Sequence, residues 1–185
     1  MKVFAFAASF RKDSWNKKLL RLAIDLARKH GAEVDHADFR EFDMPLYDGD
    51  LQTSSGFPAG AQALAKRITG SDGWILASPE YNYSLPGTIK NAIDWVSRMN
   101  PMPTRGKHAL LISASGSLVG GIRGLWQLRI PLEGCGVWIH PDMFALATAP
   151  QAFDEAGKLK DAALATRLDT LIADYLRAGK ALNAR

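Results

Sequence analysis

Apolar and polar residues follow one another along this chain at two different periods. Val3–Ala8 (VFAFAA), Gly73–Ala77 (GWILA) and Lys107–Ser113 (KHALLIS) are nearly unbroken apolar runs, the pattern of strands buried on both faces. Glu33–Asp38 is mixed and predicts a poorer strand, and Gly136–His140 predicts a fifth. Between the runs the period changes to that of a helix. Ser14–His30 carries Leu19, Leu20, Ala23, Ile24 and Ala27 on one face, and Lys29, His30 and Gly31 mark its end, cations and a glycine at the negative pole. Phe57–Thr69 predicts a helix with Pro58 early, where its missing N–H matters least. Pro86–Arg98, with Ile89, Ala92, Ile93 and Val96 aligned, predicts another. Val119–Leu132 and the long Asp161–Leu182 complete the helices, and Phe42–Gly56 is left as one long irregular connection.

Five strands alternating with helices predict an α/β fold, a three-layer sandwich around a parallel sheet. Right-handed crossovers and this element order fit the flavodoxin-like strand order 2-1-3-4-5. Such a sheet receives its ligand at the carboxyl ends of the strands, beside the switch point between strands one and three. The loops after Ala8, Ala77 and Ser113 therefore become the candidate site. Composition agrees with one globular domain over residues 1–185, with 47% hydrophobic and 23% charged residues. No apolar run reaches the roughly 18–20 residues of a membrane span. Val3–Ala8 runs directly into polar sequence and reads as a strand rather than a signal peptide. Cys135 is the single cysteine, which leaves no internal disulfide or Cys-based zinc site, and the expected location is cytoplasmic. The net charge of +4 is modest and has no dense basic stripe interleaved with aromatics, so nucleic acid is not an expected partner.

The first loop, Ser9-Phe10-Arg11-Lys12-Asp13-Ser14-Trp15-Asn16, opens a helix. First-turn N–H groups and the helix dipole favour an anion there, while Ser9, Ser14 and Asn16 add neutral donors and Arg11 a planar charged fork. An ordinary N-cap with a solvated Arg11 accounts for the same residues. The loop lacks G-x-G-x-x-G and G-K-[ST], and no cysteine precedes Arg11. Those omissions argue against a dinucleotide pyrophosphate, a P-loop and a cysteine-dependent phosphatase. A terminal phosphate, bound and not attacked, remains. In the loop after strand three, Pro79 and Pro86 bracket Glu80-Tyr81-Asn82-Tyr83-Ser84-Leu85. Aromatic rings beside an anion site suit a flat ring system attached to a phosphate. Packing of Tyr81 and Tyr83 on neighbouring helices or on a second subunit is the alternative.

PEYNYSLPGTIKNAIDW, Pro79–Trp95, resembles the signature of NAD(P)H-dependent FMN reductases, a family that includes quinone, azo-dye and chromate reductases. Ser9-x-Arg11-x-x-Ser14-x-Asn16 is similar to the family's phosphate loop. FDMPLYDGD (Phe42–Asp50) resembles its loop after strand two, and SASGSLVGG (Ser113–Gly121) its third ligand loop. One departure is Ala8, where many relatives carry glycine; alanine fits a backbone position whose φ is negative. The resemblance implies that Ser9, Arg11, Ser14 and Asn16 hold the phosphate of FMN, with Trp15 beside it. It implies further that Pro79, Glu80, Tyr81, Asn82, Tyr83 and Ser84 line the isoalloxazine, mostly through backbone groups, and that Ser115 and Gly116 approach it from the third loop. NADPH or NADH would deliver hydride to N5 of the ring, and a small acceptor such as a quinone or flavin would then take the electrons in ping-pong fashion. No side chain is expected to act as a catalytic nucleophile or acid–base group. His30, His36, His108 and His140 read as packing or surface residues, and Asp48 with Asp50 as a solvated loop tip. The resemblance also implies a homodimer or homotetramer. An electron-transfer flavodoxin without its own NAD(P)H activity is the competing reading. Flavodoxins tend to be acidic and to lack an arginine in the phosphate loop, whereas this chain has a pI near 9.3 and carries Arg11.

Overall fold

The computed structural model describes residues 1–184. Its strands are β1 (Lys2–Ala7), β2 (Glu33–Asp38), β3 (Gly73–Ala77), β4 (His108–Ala114), β5 (Trp138–Ile139) and β6 (Phe144–Leu146). Its α-helices are α1 (Trp15–Lys29), α2 (Gly49–Ser55), α3 (Ala59–Thr69), α4 (Gly87–Val96), α5 (Ile122–Gly134), α6 (Ala149–Ala152) and α7 (Ala162–Asn183). The strands form one parallel sheet in the order β2-β1-β3-β4-β5, with β6 also pairing β4. The flavodoxin-like order expected from the element pattern is the one observed.

Alternation explains why the central strands read as unbroken apolar runs. Successive side chains point to opposite faces of a strand, and here both faces are covered. Val3, Ala5 and Ala7 join a core under α1 and α7, together with Ile75, Leu110 and Ile112. Phe4, Phe6 and Ala8 join a second core under α3, α4 and α5, together with Trp74, Leu76 and Leu111. Burial of each such large side chain contributes roughly 1.5–3 kcal/mol. The edge strand β2 is only partly covered, as its mixed sequence predicts.

Two expectations are corrected. The strand read over Gly136–His140 is a short pair, Trp138–Ile139, and the sheet edge resumes at Phe144–Leu146 against the far half of β4. Pro141, which has no N–H to offer a ladder, lies in the break between them. The connection Phe42–Gly56 is not wholly irregular, because it contains α2. Asp48 and Asp50 are exposed, as expected, and Asp48 opens that helix: its carboxylate accepts from the N–H groups of Asp50 and Leu51. Since α2 buries none of its residues, it has no apolar period by which to be recognised.

Candidate functional site

The loops after β1, β3 and β4 meet at the carboxyl edge of the sheet. At the first, Ala8 donates to Ala77 O at 2.9 Å and Ser9 to Ala7 O at 2.8 Å. Ala8 is not among the described residues with left-handed backbone, so alanine meets the condition set for it. Ser14 caps α1: its Oγ accepts from Lys17 N–H at 3.4 Å, which leaves its own hydroxyl hydrogen free to donate. As at any helix start, the N–H groups of Trp15 and Asn16 have no intrahelical acceptor. The Arg11 guanidinium stands 5.7 Å from the centre of the Trp15 ring. Outside the loop, Arg40 lies over Phe10 and donates to its carbonyl, which fixes the turn from behind.

Asn16 has a different place from the one expected for its amide. Its Nδ2 donates to Ala114 O at 2.9 Å, and its Oδ1 accepts from Ala114 N–H at 3.0 Å. Both ends of the buried amide are therefore engaged with β4, tying the start of α1 to the end of that strand. A phosphate can take only the backbone N–H of this residue.

The loop after β3 folds into a tight two-residue turn. Tyr81 and Ser84 exchange backbone hydrogen bonds of 3.0 Å in both directions, with Asn82 at φ 49° and Tyr83 at φ 65°. Two consecutive left-handed residues define this turn type, and each non-glycine residue so placed costs about 1 kcal/mol or more. Glu80 turns away from the turn toward α5. Its Oε1 accepts from Arg123 Nε at 2.8 Å, and its Oε2 from Gly124 N–H at 3.1 Å. Burial raises the Glu80 carboxyl, but the Arg123 hydrogen bond, the Gly124 N–H and the guanidinium charge together hold it below the usual carboxylate range. Arg123 also lies over the Tyr83 ring, 4.1 Å from its centre.

From the loop after β4, Ser115 donates its N–H to Leu146 O at 3.0 Å, and its hydroxyl bonds Ser117. Gly116 faces Trp15 and Pro150. Together the three loops border an open cleft. Ser9, Arg11, Ser14, Trp15 and Asn16 line one side, Pro79, Glu80 and Tyr81 another, and Ala114, Ser115 and Gly116 a third. Asn82, Tyr83 and Ser84 do not line it; they form the outer part of the turn.

Three residues with a part in this arrangement escaped the sequence reading. Asn91 and Trp95 belong to the Pro79–Trp95 motif but face the other way. Asn91 Oδ1 accepts from Tyr47 N–H at 2.8 Å, while Asn91 Nδ2 and Trp95 Nε1 both donate to Pro45 O. They fasten the loop after β2 to α4. Arg123 is the third, and it carried a signal. A cation in the first turn of a helix opposes the helix dipole, so it calls for a carboxylate nearby.

Comparison with known proteins identifies the family. The family described as NADPH-dependent FMN reductase matches residues 1–151. A quinone reductase of Escherichia coli K12 is 41% identical over 129 residues, spanning 70% of this chain and 68% of that protein. An NAD(P)H:quinone oxidoreductase of Solanum tuberosum is 35% identical over 179 residues, spanning 93% and 89%. Among solved structures, the flavoenzyme NAD(P)H:(acceptor) oxidoreductase FerB from Paracoccus denitrificans superposes with a TM-score of 0.83 at 28% identity, covering 97% of each chain. The chain belongs to the NADPH-dependent FMN reductase family.

Proposed function

We propose that residues 1–185 form one FMN-binding domain, with the cofactor in the cleft between the three loops. The protein is an FMN-dependent NAD(P)H oxidoreductase that acts on quinone-type acceptors. The observation that carries the assignment of the cleft is its division into two chemistries. The β1–α1 side offers Ser9, Ser14, Arg11 and the free N–H groups at the head of α1, a donor set suited to a phosphate. Trp15, Pro79, Tyr81 and Gly116 offer flat or small surfaces suited to a ring. Bound FMN supplies the two-electron chemistry. The chain's own residues bind and orient. Glu80 is the one carboxylate in the lining, and its two oxygens are engaged by Arg123 and Gly124. No side chain is assigned a proton-transfer role. NAD(P)H and the acceptor take turns at the open mouth of the cleft, which makes the kinetics ping-pong.

We propose further that the protein is a homo-oligomer, a dimer or tetramer, in the cytoplasm, where the pyridine nucleotide donor is found. Supporting an oligomer, Trp126 and Ile130 on α5 and Trp138 on the edge strand β5 are 55%, 67% and 60% exposed, an unusual density of large apolar groups. The deciding measurement is an absorbance spectrum of the protein loaded with FMN, followed by addition of NAD(P)H without air. Retained flavin bands at roughly 370 and 450 nm that bleach on addition are expected. Failure to retain FMN would overturn the reading, and retention without bleaching would indicate an electron-transfer flavodoxin instead.

A further inference from the structure

We infer that Arg123 is a positioning residue for the ring end of the cleft: through Glu80 and Tyr83 it holds the Tyr81–Ser84 turn in its left-handed form. The inference rests on the FMN reading above and adds a residue that does not line the cleft. The turn is intrinsically unfavourable, because Asn82 and Tyr83 both have positive φ and neither is glycine. Its two backbone hydrogen bonds join only Tyr81 and Ser84 to each other, so they close the turn without attaching it to the scaffold. Attachment comes from α5. The Glu80 side chain is 7% exposed and pairs with the guanidinium of Arg123, whose side chain is 36% exposed, so the pair is partly shielded from solvent and salt. The same guanidinium covers the face of Tyr83, a stacking that its planar, delocalised charge permits and an ammonium matches less well.

The backbone is shaped for this contact. A Cβ on Gly124 would come within 3.0 Å of Glu80 Cα and 3.1 Å of Ser84 O. Helix α5 therefore approaches the turn so closely that a side chain at 124 would have to push Glu80 or Ser84 aside by a few tenths of an ångström. Its first turn then meets the Glu80 carboxylate, a negative charge at the positive end of the helix. One arginine thus grips both ends of the segment: Glu80 before the turn and Tyr83 within it. Tyr81, which lines the cleft, lies between them.

The test compares Arg123→Ala, Arg123→Lys and Tyr83→Leu by amide exchange of the FMN-free protein and by visible circular dichroism of the FMN-loaded protein. In Arg123→Ala, exchange at Tyr81 and Ser84 is expected to accelerate by about tenfold or more, with β1, β3 and β4 unchanged. FMN affinity should fall only about three- to tenfold, because the phosphate side is intact, while kcat falls about tenfold and the induced flavin signal changes shape. Arg123→Lys should restore part of the exchange protection through Glu80 without restoring the wild-type flavin signal. Tyr83→Leu removes the stacking alone and remains available should Arg123→Ala fail to fold. Wild-type exchange and a wild-type flavin signal in Arg123→Ala would overturn the inference. Loss of FMN binding by the unaltered protein would overturn the FMN reading instead, and the exchange experiment would still judge the clamp.

Discussion

The two ends of β4 treat polar groups in different ways. At its start, His108 is packed against His140 and Tyr175, with ring centres 5.5 and 4.8 Å away. The Nδ1 atoms of both histidines are buried and have no protein partner. Gly73 and Gly179 allow the chain to close over them: a Cβ on Gly73 would lie 2.5 Å from His108 O, and one on Gly179 3.2 Å from His108 Nδ1. At the end of the strand, Ala114 has both backbone groups engaged by Asn16, and the donors beyond it open into the cleft. The first end encloses two imidazole rings and accepts their desolvation; the other also buries the Ser113 hydroxyl, but the loop that follows it opens on the cleft. The same strand can therefore serve stability at one end and binding at the other.

The largest test of that division is Gly73→Val. Its side chain would collide with a backbone carbonyl that cannot step aside, so a loss of about 3 kcal/mol or more is expected. Thermal unfolding should show a Tm lower by about 6–12 °C, with FMN affinity of the folded protein unchanged. Acid is the next probe of the same end. Burial, and then the neighbouring His140 charge, lower His108 from 6.5 to about 4, and burial lowers His140 as well. The unfolded chain binds a proton in this interval that the folded chain refuses. Stability is thus complete above pH 6.5 and declines as pH falls toward 4, by on the order of 2–3 kcal/mol. Denaturant melts at pH 7, 5.5 and 4.5 measure this, and His108→Leu should flatten the slope.

The cleft end should respond in the reverse sense. Arg11→Ala removes a charge-assisted phosphate contact worth about 2 kcal/mol, so the Kd for FMN is expected to rise about 30-fold. The Tm of the FMN-free protein should not move. An unchanged Kd by fluorescence titration would make Arg11 a surface charge only. The smallest effect belongs to Gly116→Ala. Its Cβ would meet Trp15 and Pro150 at 3.8–3.9 Å, ordinary contact distance, so stability should stay within about 0.5 kcal/mol of wild type.

How far the sequence anticipates all this depends on the range of each interaction. Sheet order was legible because β1, β3 and β4 are buried on both faces and are therefore apolar throughout. The edge was not, because β5 and β6 are two and three residues long, too short for an alternation to register. Helix α2 was hidden by having no buried face, though Asp48 marked its start. Which three loops form the cleft was legible because each follows directly on a recognisable strand, although Asn82, Tyr83 and Ser84 fall outside its lining and Ala114 inside it. What the residues of those loops bond to was not. Asn16 meets Ala114 across 98 positions and Glu80 meets Arg123 across 43, and no local period records such a pairing.

The Asn16 clamp also ties the fates of two positions together. Asn16 recognises the main chain of Ala114, and Ala114 itself is 3% exposed within the core beneath α1 and α7, so neither position is free to drift. No other standard side chain the size of asparagine's both gives and takes a hydrogen bond in this way, since aspartate in its charged form cannot donate. Along a lineage, variation in the cleft should therefore gather in the loops beyond this joint while the joint itself stays as it is.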